Sequence, residues 1–442
     1  MNSKSSVFDQ VSKEVYSSIK RLFKNSEHER LYNFLKSPDR VIKFKVKWQD
    51  RNGQLNWNTG YRVQFNNVLG PYKGGLRFHK SVNEDILQAL AFEQTFKNSL
   101  TGLNMGGGKG GSDFDPMNKT EGEIRNFCQS YMRELYKYIG EDIDVPAGDI
   151  GVGGKEIGYM YGEYRKLTNS FTGVLTGKGL MWGGSQLRPE ATGYGVIYFL
   201  ENMVNYMNDQ LENKTAIITG AGNVATFAVE KALEKKIKIV AMNDVSGSVY
   251  FSKYLQPEHL QFIKNLYENR KTLADFANQF DDVEFYERGK IPKPWFIPEL
   301  KNLDLIIPCA TQNEIEEADA QKLVELGVKY ISEGSNMSCN LSAIDYLVKN
   351  GVFFGPSKAC NAGGVSVSGL EMIQNSSKIF WNKEEVDTKL KSIMRNIFYN
   401  CLVTGENYKE EGDLKNEILI IGANIAGFLK VSEAMKEQGY FY

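Results

Sequence analysis

Residues 215–244 read TAIITGAGNVATFAVEKALEKKIKIVAMND, and the order of patterns inside this run decides the fold. A short apolar run, TAIIT (215–219), leads into the glycine turn Gly220-Ala221-Gly222-Asn223-Val224-Ala225. A helical stretch to about Lys235 follows, then a second apolar run, IKIVAM (237–242), which ends at Asn243-Asp244. Strand, GxGxxA turn, helix and strand in that order, with an acidic residue 24 positions after the first glycine, form a dinucleotide-binding fingerprint in its required context. The glycines permit a tight turn and let a pyrophosphate meet the helix N-terminus. Further short runs at LDLIIP (303–308), VKYISE (328–333) and VFFG (352–355), with helical patterns between them, extend the reading to a doubly wound parallel sheet. The polar segments CATQNE (309–314), GSNMS (334–338) and CNAGGVSVSG (360–369) lie where such sheets bind ligands, which places Ala310 and Asn336 beside a nicotinamide.

The first half of the chain has a different pattern. Ile42, Phe44, Val46 and Trp48 alternate with Lys43, Lys45 and Lys47, as in a half-buried strand. Asn52-Gly53 and a second alternation at Tyr61, Val63 and Phe65 predict an antiparallel hairpin. Three glycine-rich segments then stand out, each read as a loop holding one charge. GPYKGGLRFH (70–79) carries Lys73, MGGGKGGSDFDP (105–116) carries Lys109, and VPAGDIGVGG (145–154) carries Asp149. Each alone is a weak signal, since a solvated turn or linker gives the same composition. Together they suggest lysines gripping an anionic substrate while a carboxylate moves protons. A loop closing over Lys109 desolvates the ammonium and lowers its pKa toward the basic form. Residues 84–100 read as a helix on which Leu87, Leu90, Gln94 and Lys97 share one face, so Gln94 and Lys97 are aimed at a ligand.

At 442 residues two domains are expected. The net charge of −1, from 53 basic and 54 acidic residues without a long block of either sign, leaves no electrostatic footprint for nucleic acid or an anionic membrane. Five scattered cysteines with no CxxC pair suggest a reducing compartment and no zinc site, and the three histidines are too far apart in sequence for a His-based metal centre. The opening MNSKSSVFDQVSKEVYSSIK reads as an amphipathic helix on Val7, Val11, Val15 and Ile19, without the pattern of a secretory or transit peptide, and no run of 18 apolar residues predicts a membrane span. A cytoplasmic setting is expected.

With these residues assembled, the chain resembles the small hexameric glutamate dehydrogenases of bacteria and fungi over almost its whole length. PYKGGLRFH, FEQTFKN, MGGGKGGSDFDP, DVPAGDIGVGG, RPEATGYG, GAGNVA, CATQNE and NAGGVSVSG occur in that family's order. The resemblance implies reversible oxidative deamination of L-glutamate to 2-oxoglutarate and ammonia, in a homohexamer of nitrogen metabolism. It implies that Lys109 activates water, Asp149 shuttles protons, and Lys97, Gln94 and Gly148 bind the α-carboxylate end of the substrate. Lys73 and Ser368 would hold the side-chain carboxylate. Thr192 and Asn223 would contact the coenzyme, with Gly220, Gly222, Val224, Asn243 and Asp244 completing its site. It further implies a substrate domain over residues 1–188, a dinucleotide domain over 189–411 and a C-terminal helix, 412–442, returning to the first.

Coenzyme choice divides the two lines of reasoning. An acid after the second strand usually accepts the ribose 2′-hydroxyl, so Asp244 alone points to NAD. The MGGGKGG form resembles the NADP-linked members, which often carry Ser-Asp where this chain has Asn243-Asp244. NADP is therefore expected, with Lys119 or a basic residue near 264–271 reaching the 2′-phosphate, and NAD is the alternative. Two other readings compete: a leucine, valine or phenylalanine dehydrogenase, which has no use for a charged Lys73, and a non-catalytic dinucleotide-binding regulator, which has no need of Lys109 or Asp149.

Overall fold

The computed structural model describes residues 7–268 and 271–440. The first six residues of the expected N-terminal helix lie outside the described residues; the helix runs Val7–Ile19 and buries Val11, Val15 and Ile19. The chain forms two compact units. One comprises the segments up to Arg188, from Val365 to Asp387, and from Asn424 onward; the other comprises Pro189–Gly364 and Thr388–Ala423.

The expected uninterrupted dinucleotide segment 189–411 is thereby corrected. Residues 365–387 belong with the first unit, because Glu371 accepts the Gly177 N–H (3.0 Å), Gln374 donates to Ser185 (2.8 Å) and Asn375 donates to the Gly183 carbonyl (2.7 Å). The C-terminal return begins at Asn424 and not at 412: Asn424 donates to Ser18 (3.0 Å) and Lys430 to the Ser99 carbonyl (3.2 Å). By length and composition this helix could cross a membrane, yet 72% of its apolar window is packed inside the protein, as in a core helix.

In the first unit the strands are β1 (Arg40–Gln49), β2 (Leu55–Asn66), β3 (Tyr72–Phe78), β4 (Gly107–Ser112) and β5 (Asp144–Gly148). Their spatial order is β1-β2-β4-β3-β5. β1 and β2 form the expected antiparallel hairpin, with Val46 opposite Asn58 and Gly53 at φ +77° in the turn. β2 runs antiparallel to β4, while β4-β3 and β3-β5 are parallel. The three glycine-rich segments read as loops thus contain three neighbouring strands, with residues 113–116 of the second and the Asp149 end of the third left outside them.

The reason lies in what presses on them. The helix Glu84–Leu100, capped by Asn83, which accepts from Ile86 N (3.0 Å), lies so close to β4 that a Cβ on Gly107 would sit 2.0 Å from Thr95 Oγ1 and 2.6 Å from Thr95 Cα. A Cβ on Gly74 would sit 1.6 Å from the Gly108 carbonyl oxygen. Glycine is demanded here by close backbone approach, not by flexibility. Phe78, Phe114, Phe127 and Tyr131 pack with the buried faces of helices Glu121–Leu135 and Gly154–Thr168 to form this unit's core.

In the second unit the strands are β6 (Thr215–Ile218), β7 (Lys238–Asn243), β8 (Gly247–Phe251), β9 (Val283–Glu287), β10 (Leu305–Ile307), β11 (Tyr330–Ser332) and β12 (Phe353–Gly355), ordered β12-β11-β10-β6-β7-β8-β9. The predicted runs at 215, 237, 303, 328 and 352 all became strands, and they are parallel. The expected doubly wound parallel sheet is extended at one edge, where β8 pairs antiparallel with both β7 and β9. A tight turn after β7, closed by Asp244 N donating to the Gly247 carbonyl (2.9 Å), sends the chain straight back. The topological switch falls between β6 and β10.

If close approach is the reason for the glycines, Gly107→Ala should lower stability by about 1–3 kcal/mol or more through overpacking. Gly122→Ala, at a helical position where an added Cβ meets nothing within 4 Å, should be neutral or stabilise by up to about 1 kcal/mol. Thermal unfolding of both variants checks the pair, and equal melting temperatures would refute the account.

Candidate functional site

Side chains alternate along a strand, so Lys73, Gly75 and Arg77 share one face of β3. The missing side chain at Gly75 matters, because a Cβ there would lie 2.8 Å from the Asp149 Cβ. Over that gap Lys109 Nζ, from β4, meets Asp149 Oδ2 at 2.8 Å, and Arg77 Nε meets the same oxygen at 3.2 Å. Asp149 is held there by a turn after β5 in which Val152 N donates to the Asp149 carbonyl (2.8 Å) and Gly151 takes φ +74°.

Burial lowers the Lys109 pKa and the Arg77 charge lowers it further, while Asp149 opposes both. Burial raises the Asp149 pKa, but the Lys109 and Arg77 charges overcome it and hold the carboxyl well below the usual carboxylate range. The arrangement sets a lysine whose pKa is lowered in contact with a carboxyl whose pKa is lowered too.

Lys73 is only 1% exposed. Its Nζ donates to the Val145 carbonyl (3.0 Å) and to Thr176 Oγ1 (2.8 Å), both neutral. Its pKa is pushed well below the usual value, by burial first and by the charges of Arg188, Arg62 and Lys178 against a single favourable one, Glu371. Arg188 Nε donates to Ser368 Oγ at 2.9 Å and its charge acts on Lys73, so the serine and lysine candidates share an environment with a half-buried arginine. Glu371 is committed elsewhere: it pairs with Lys178 Nζ (2.7 Å) and accepts the Gly177 and Lys178 N–H groups. Arg62 and Asp144, both fully buried, neutralise each other, and Arg62 also donates to the Gly74 carbonyl (3.1 Å). Among the described residues, Lys73 and Arg188 remain as two basic groups without an ion pair of their own.

Gln94 and Lys97 are half-buried on the helix Glu84–Leu100, where Gln94 donates to Asn98 Oδ1 (2.7 Å). Gln94 Cγ lies 3.3 Å from the Cβ position of Gly74, so its base reaches β3. Gly148 ends β5 opposite Leu76, one residue before Asp149.

In the second unit Gly220 takes φ +84°, and its N–H donates to Asn243 Oδ1 at 2.9 Å. Gly222 is the N-cap of the helix Asn223–Glu234; no side chain caps it, and an added Cβ would meet nothing within 4 Å. Open space before uncapped N–H groups fits the pyrophosphate of a dinucleotide. Asn223 Nδ2 donates to the Pro189 carbonyl (2.7 Å), and Thr192 is half-buried in the first turn of the helix Ala191–Tyr206. That helix packs so near that a Cβ on Gly193 would lie 2.4 Å from Ala228 N. Val224 lines the turn next to Gly334, Ala310 is exposed after β10, and Asn336 Oδ1 accepts from Asn361 (2.9 Å).

Asp244 does not present a free carboxylate. Its Oδ1 accepts Ser246 N (2.8 Å) and its Oδ2 accepts Leu273 N (2.7 Å), so both oxygens serve the turn after β7 and the start of the helix Leu273–Ala277. Asn243 likewise is taken by the glycine turn. Of the expected phosphate partners, Lys119 Nζ lies 5.3 Å over the Trp48 ring and Lys264 pairs with Glu230, while Lys271 is exposed. Asn269 and Arg270, within the basic stretch named above, lie outside the described residues. Arg288 stands by the turn, its Nη1 3.5 Å from the Val245 carbonyl.

The sequence reading missed Arg77, Thr176, Arg188 and the Lys178–Glu371 pair. Arg77 was legible as the residue two places beyond Gly75 on the Lys73 face, had 70–79 been read as a strand. The others join the site through partners 103 to 193 residues away in sequence, which no local pattern reports.

Against this geometry the comparisons agree. Residues 183–439 match the family model described as Glutamate/Leucine/Phenylalanine/Valine dehydrogenase, and residues 38–166 match the Glu/Leu/Phe/Val dehydrogenase dimerisation domain. The chain is 51% identical to the NADP-specific glutamate dehydrogenase of Giardia intestinalis, covering 98% of this chain and 95% of that one. It is 50% identical to the NAD(P)-specific glutamate dehydrogenase of Xylanibacter ruminicola, covering 94% and 91%. The crystal structure of Plasmodium falciparum glutamate dehydrogenase matches with a TM-score of 0.94 at 47% identity, over 98% of this chain and 91% of that one. A dinucleotide turn on a mostly parallel sheet, a lysine–aspartate pair on glycine-bearing strands, and these matches together place the chain in the Glu/Leu/Phe/Val dehydrogenase family.

Proposed function

We propose that the chain catalyses the reversible oxidative deamination of L-glutamate to 2-oxoglutarate and ammonia, with NADP as the hydride acceptor. The observation that carries the choice of glutamate within the family is the buried Lys73 together with the half-buried Arg188, with Thr176 and Ser368 as their hydroxyl partners. A second substrate carboxylate brought among them gains charge-assisted hydrogen bonds in a desolvated setting. A neutral aliphatic side chain leaves those donors unmatched.

Lys109 and Asp149 divide the proton work. In the direction of deamination, neutral Lys109 removes a proton from the water that adds to the iminium carbon, and Asp149 carries protons at the nitrogen that leaves as ammonia. Lys97, Gln94 and Gly148 bind the α-carboxylate end. Bound at the Gly220–Gly222 turn, with Thr192, Asn223, Val224, Ala310 and Asn336 about it, NADP supplies the hydride acceptor. Because Asp244 is engaged by backbone donors, it does not oppose a 2′-phosphate as a free acid would, and Arg288 offers the positive charge nearby.

A homohexamer is part of the same proposal, supported by the family resemblance and by the dimerisation-domain match; light scattering should give six times the chain mass. Cytoplasmic residence is proposed on the five free, buried cysteines.

Lys73→Leu should cost about 2–5 kcal/mol of transition-state binding for glutamate, the range for truncating a buried charge pair, while norleucine loses far less or gains. Paired kcat/KM measurements decide it, and an equal fall for both substrates would sink the assignment. Asp149→Asn should cut kcat by about 10²- to 10⁴-fold. Since the Asp149 charge raises the Lys109 pKa, its removal should also shift the rising limb of the pH–rate profile to lower pH; a shift to higher pH contradicts the pairing. For the coenzyme, Asp244→Ala should lose roughly 0.5–2 kcal/mol of stability as a lost cap, yet leave the NADP-to-NAD ratio of kcat/KM within about threefold. Arg288→Ala should lower that ratio about tenfold or more by removing a charge-assisted contact. The opposite ordering of the two variants would return Asp244 to the ribose.

A further inference from the structure

The loop between β10 and the helix Glu317–Glu325 holds a carboxyl group that the proposed reaction does not use. Glu314 Oε1 accepts from Thr219 Oγ1 at 3.0 Å and from Ala310 N at 3.2 Å. Thr219 Oγ1 in turn accepts from Cys309 N at 2.8 Å, and Thr219 N donates to the Ile307 carbonyl at 3.1 Å. Thr219 is fully buried and immediately precedes Gly220. The carboxyl therefore fastens together the two loops that leave β6 and β10, at the switch point of the sheet. The Cβ position of Gly220 lies 3.1 Å from the Cys309 carbonyl oxygen, so the dinucleotide turn rests directly on the segment that Glu314 holds.

The groups around it leave the charge poorly compensated. Lys293 is the cation that acts on it, and Lys293 is already paired with Asp319. Cys309 and Cys339 are buried thiols whose pKa values are pushed up, by burial first and then by neighbouring carboxylates including Glu314, so they bring no charge. Burial raises the Glu314 pKa to about 7, against the lowering effect of its hydrogen bonds and Lys293. Near neutrality the group is divided between a carboxylate and a carboxylic acid.

We propose that Glu314 is a positioning residue for the coenzyme turn and that it takes up one proton as the coenzyme binds. A pyrophosphate at the Gly220–Gly222 turn adds negative charge near a carboxylate that burial already disfavours, so the neutral acid is favoured in the complex. Binding and protonation are then linked in both directions. The inference rests on the dinucleotide reading of that turn.

The test is calorimetric titration of the whole enzyme with NADPH from pH 6 to 9, in buffers of different ionisation enthalpy, which counts protons taken up independently of turnover. Over the range between the free and bound pKa values, Kd should weaken toward the limit of about tenfold per pH unit that one linked proton allows. Glu314→Gln keeps an acceptor for Thr219 but does not titrate. It should flatten that slope and reduce the proton uptake at pH 7 by about half a proton. Thr219→Val removes a hydrogen bond that lowers the Glu314 pKa, so the pH at which Kd begins to weaken should move upward. Equal slopes and proton counts in wild type and Glu314→Gln overturn the proposal, whatever the change in Kd, as does an unmoved midpoint in Thr219→Val. NADPH binding by wild type with those equal slopes leaves the dinucleotide reading standing. No binding of NADPH or NADP by wild type overturns both.

Discussion

Backbone pressed on backbone is the constraint from which the first unit's chemistry follows. β4 occupies the middle of its sheet as Gly-Gly-Lys-Gly-Gly-Ser, and the helix Glu84–Leu100 and strands β2 and β3 close on it to distances that no Cβ could survive. Each glycine held in a strand costs about 0.5–1 kcal/mol relative to alanine. Burial of Phe92, Phe96 and Leu100 on the same helix offsets that cost at roughly 1.5–3 kcal/mol per large side chain. What remains among the four glycines is one side chain, Lys109, in a wall of peptide groups with Asp149 as its counter-charge.

The buried charges around it sort into closed pairs and open groups. Arg62 and Asp144 satisfy each other while Arg62 also holds the Gly74 carbonyl, so the pair ties β2, β3 and the start of β5 into one register. Removing one partner of such a pair costs about 3–5 kcal/mol because the other is left buried and alone. Lys178 and Glu371 do the same for the segment beginning at Val365, which explains why that segment leaves the surrounding dinucleotide sequence to join the first unit. Closed pairs hold the frame; the open cations are left for a ligand.

Legibility from sequence followed the range of the interaction. The β1–β2 hairpin, the helix Glu84–Leu100 and the β6–turn–helix–β7 unit are written in local periodicity and turn chemistry, and all were read with near-final boundaries. The glycine-bearing strands were misread as loops because glycine's usual meaning is conformational freedom, and only the neighbours reveal that here it means proximity. Lys109, Asp149 and Lys73 were found by composition, but Arg188 and Glu371 were not, since their partners are 180 and 193 residues away. Asp244 shows the converse failure. The rule that assigns such an acid to a ribose assumes a strand that turns into a helix, whereas here β7 turns into β8, and the same residue becomes the clamp of a hairpin turn.

Two lysines of one site illustrate how neighbours and not residue type assign roles. Burial depresses both, yet Lys109 has an aspartate at 2.8 Å while Lys73 has only a carbonyl and a hydroxyl. Burial and Arg77 therefore lower the Lys109 pKa while Asp149 raises it, so the pair sets the proton affinity of the lysine from two opposing sides. Lys73 loses most by being charged alone and gains most when an anion arrives. Under the proposed assignment the distal carboxylate of glutamate supplies the counter-charge that Lys73 lacks, so the charged form of the lysine is favoured most when the site is occupied. Discrimination against a neutral side chain then arises from the missing second half of that pair, not from repulsion, and Arg188, which cannot shed its proton, sets the floor of positive potential that keeps the pocket attractive to an anion at every pH where the protein is folded.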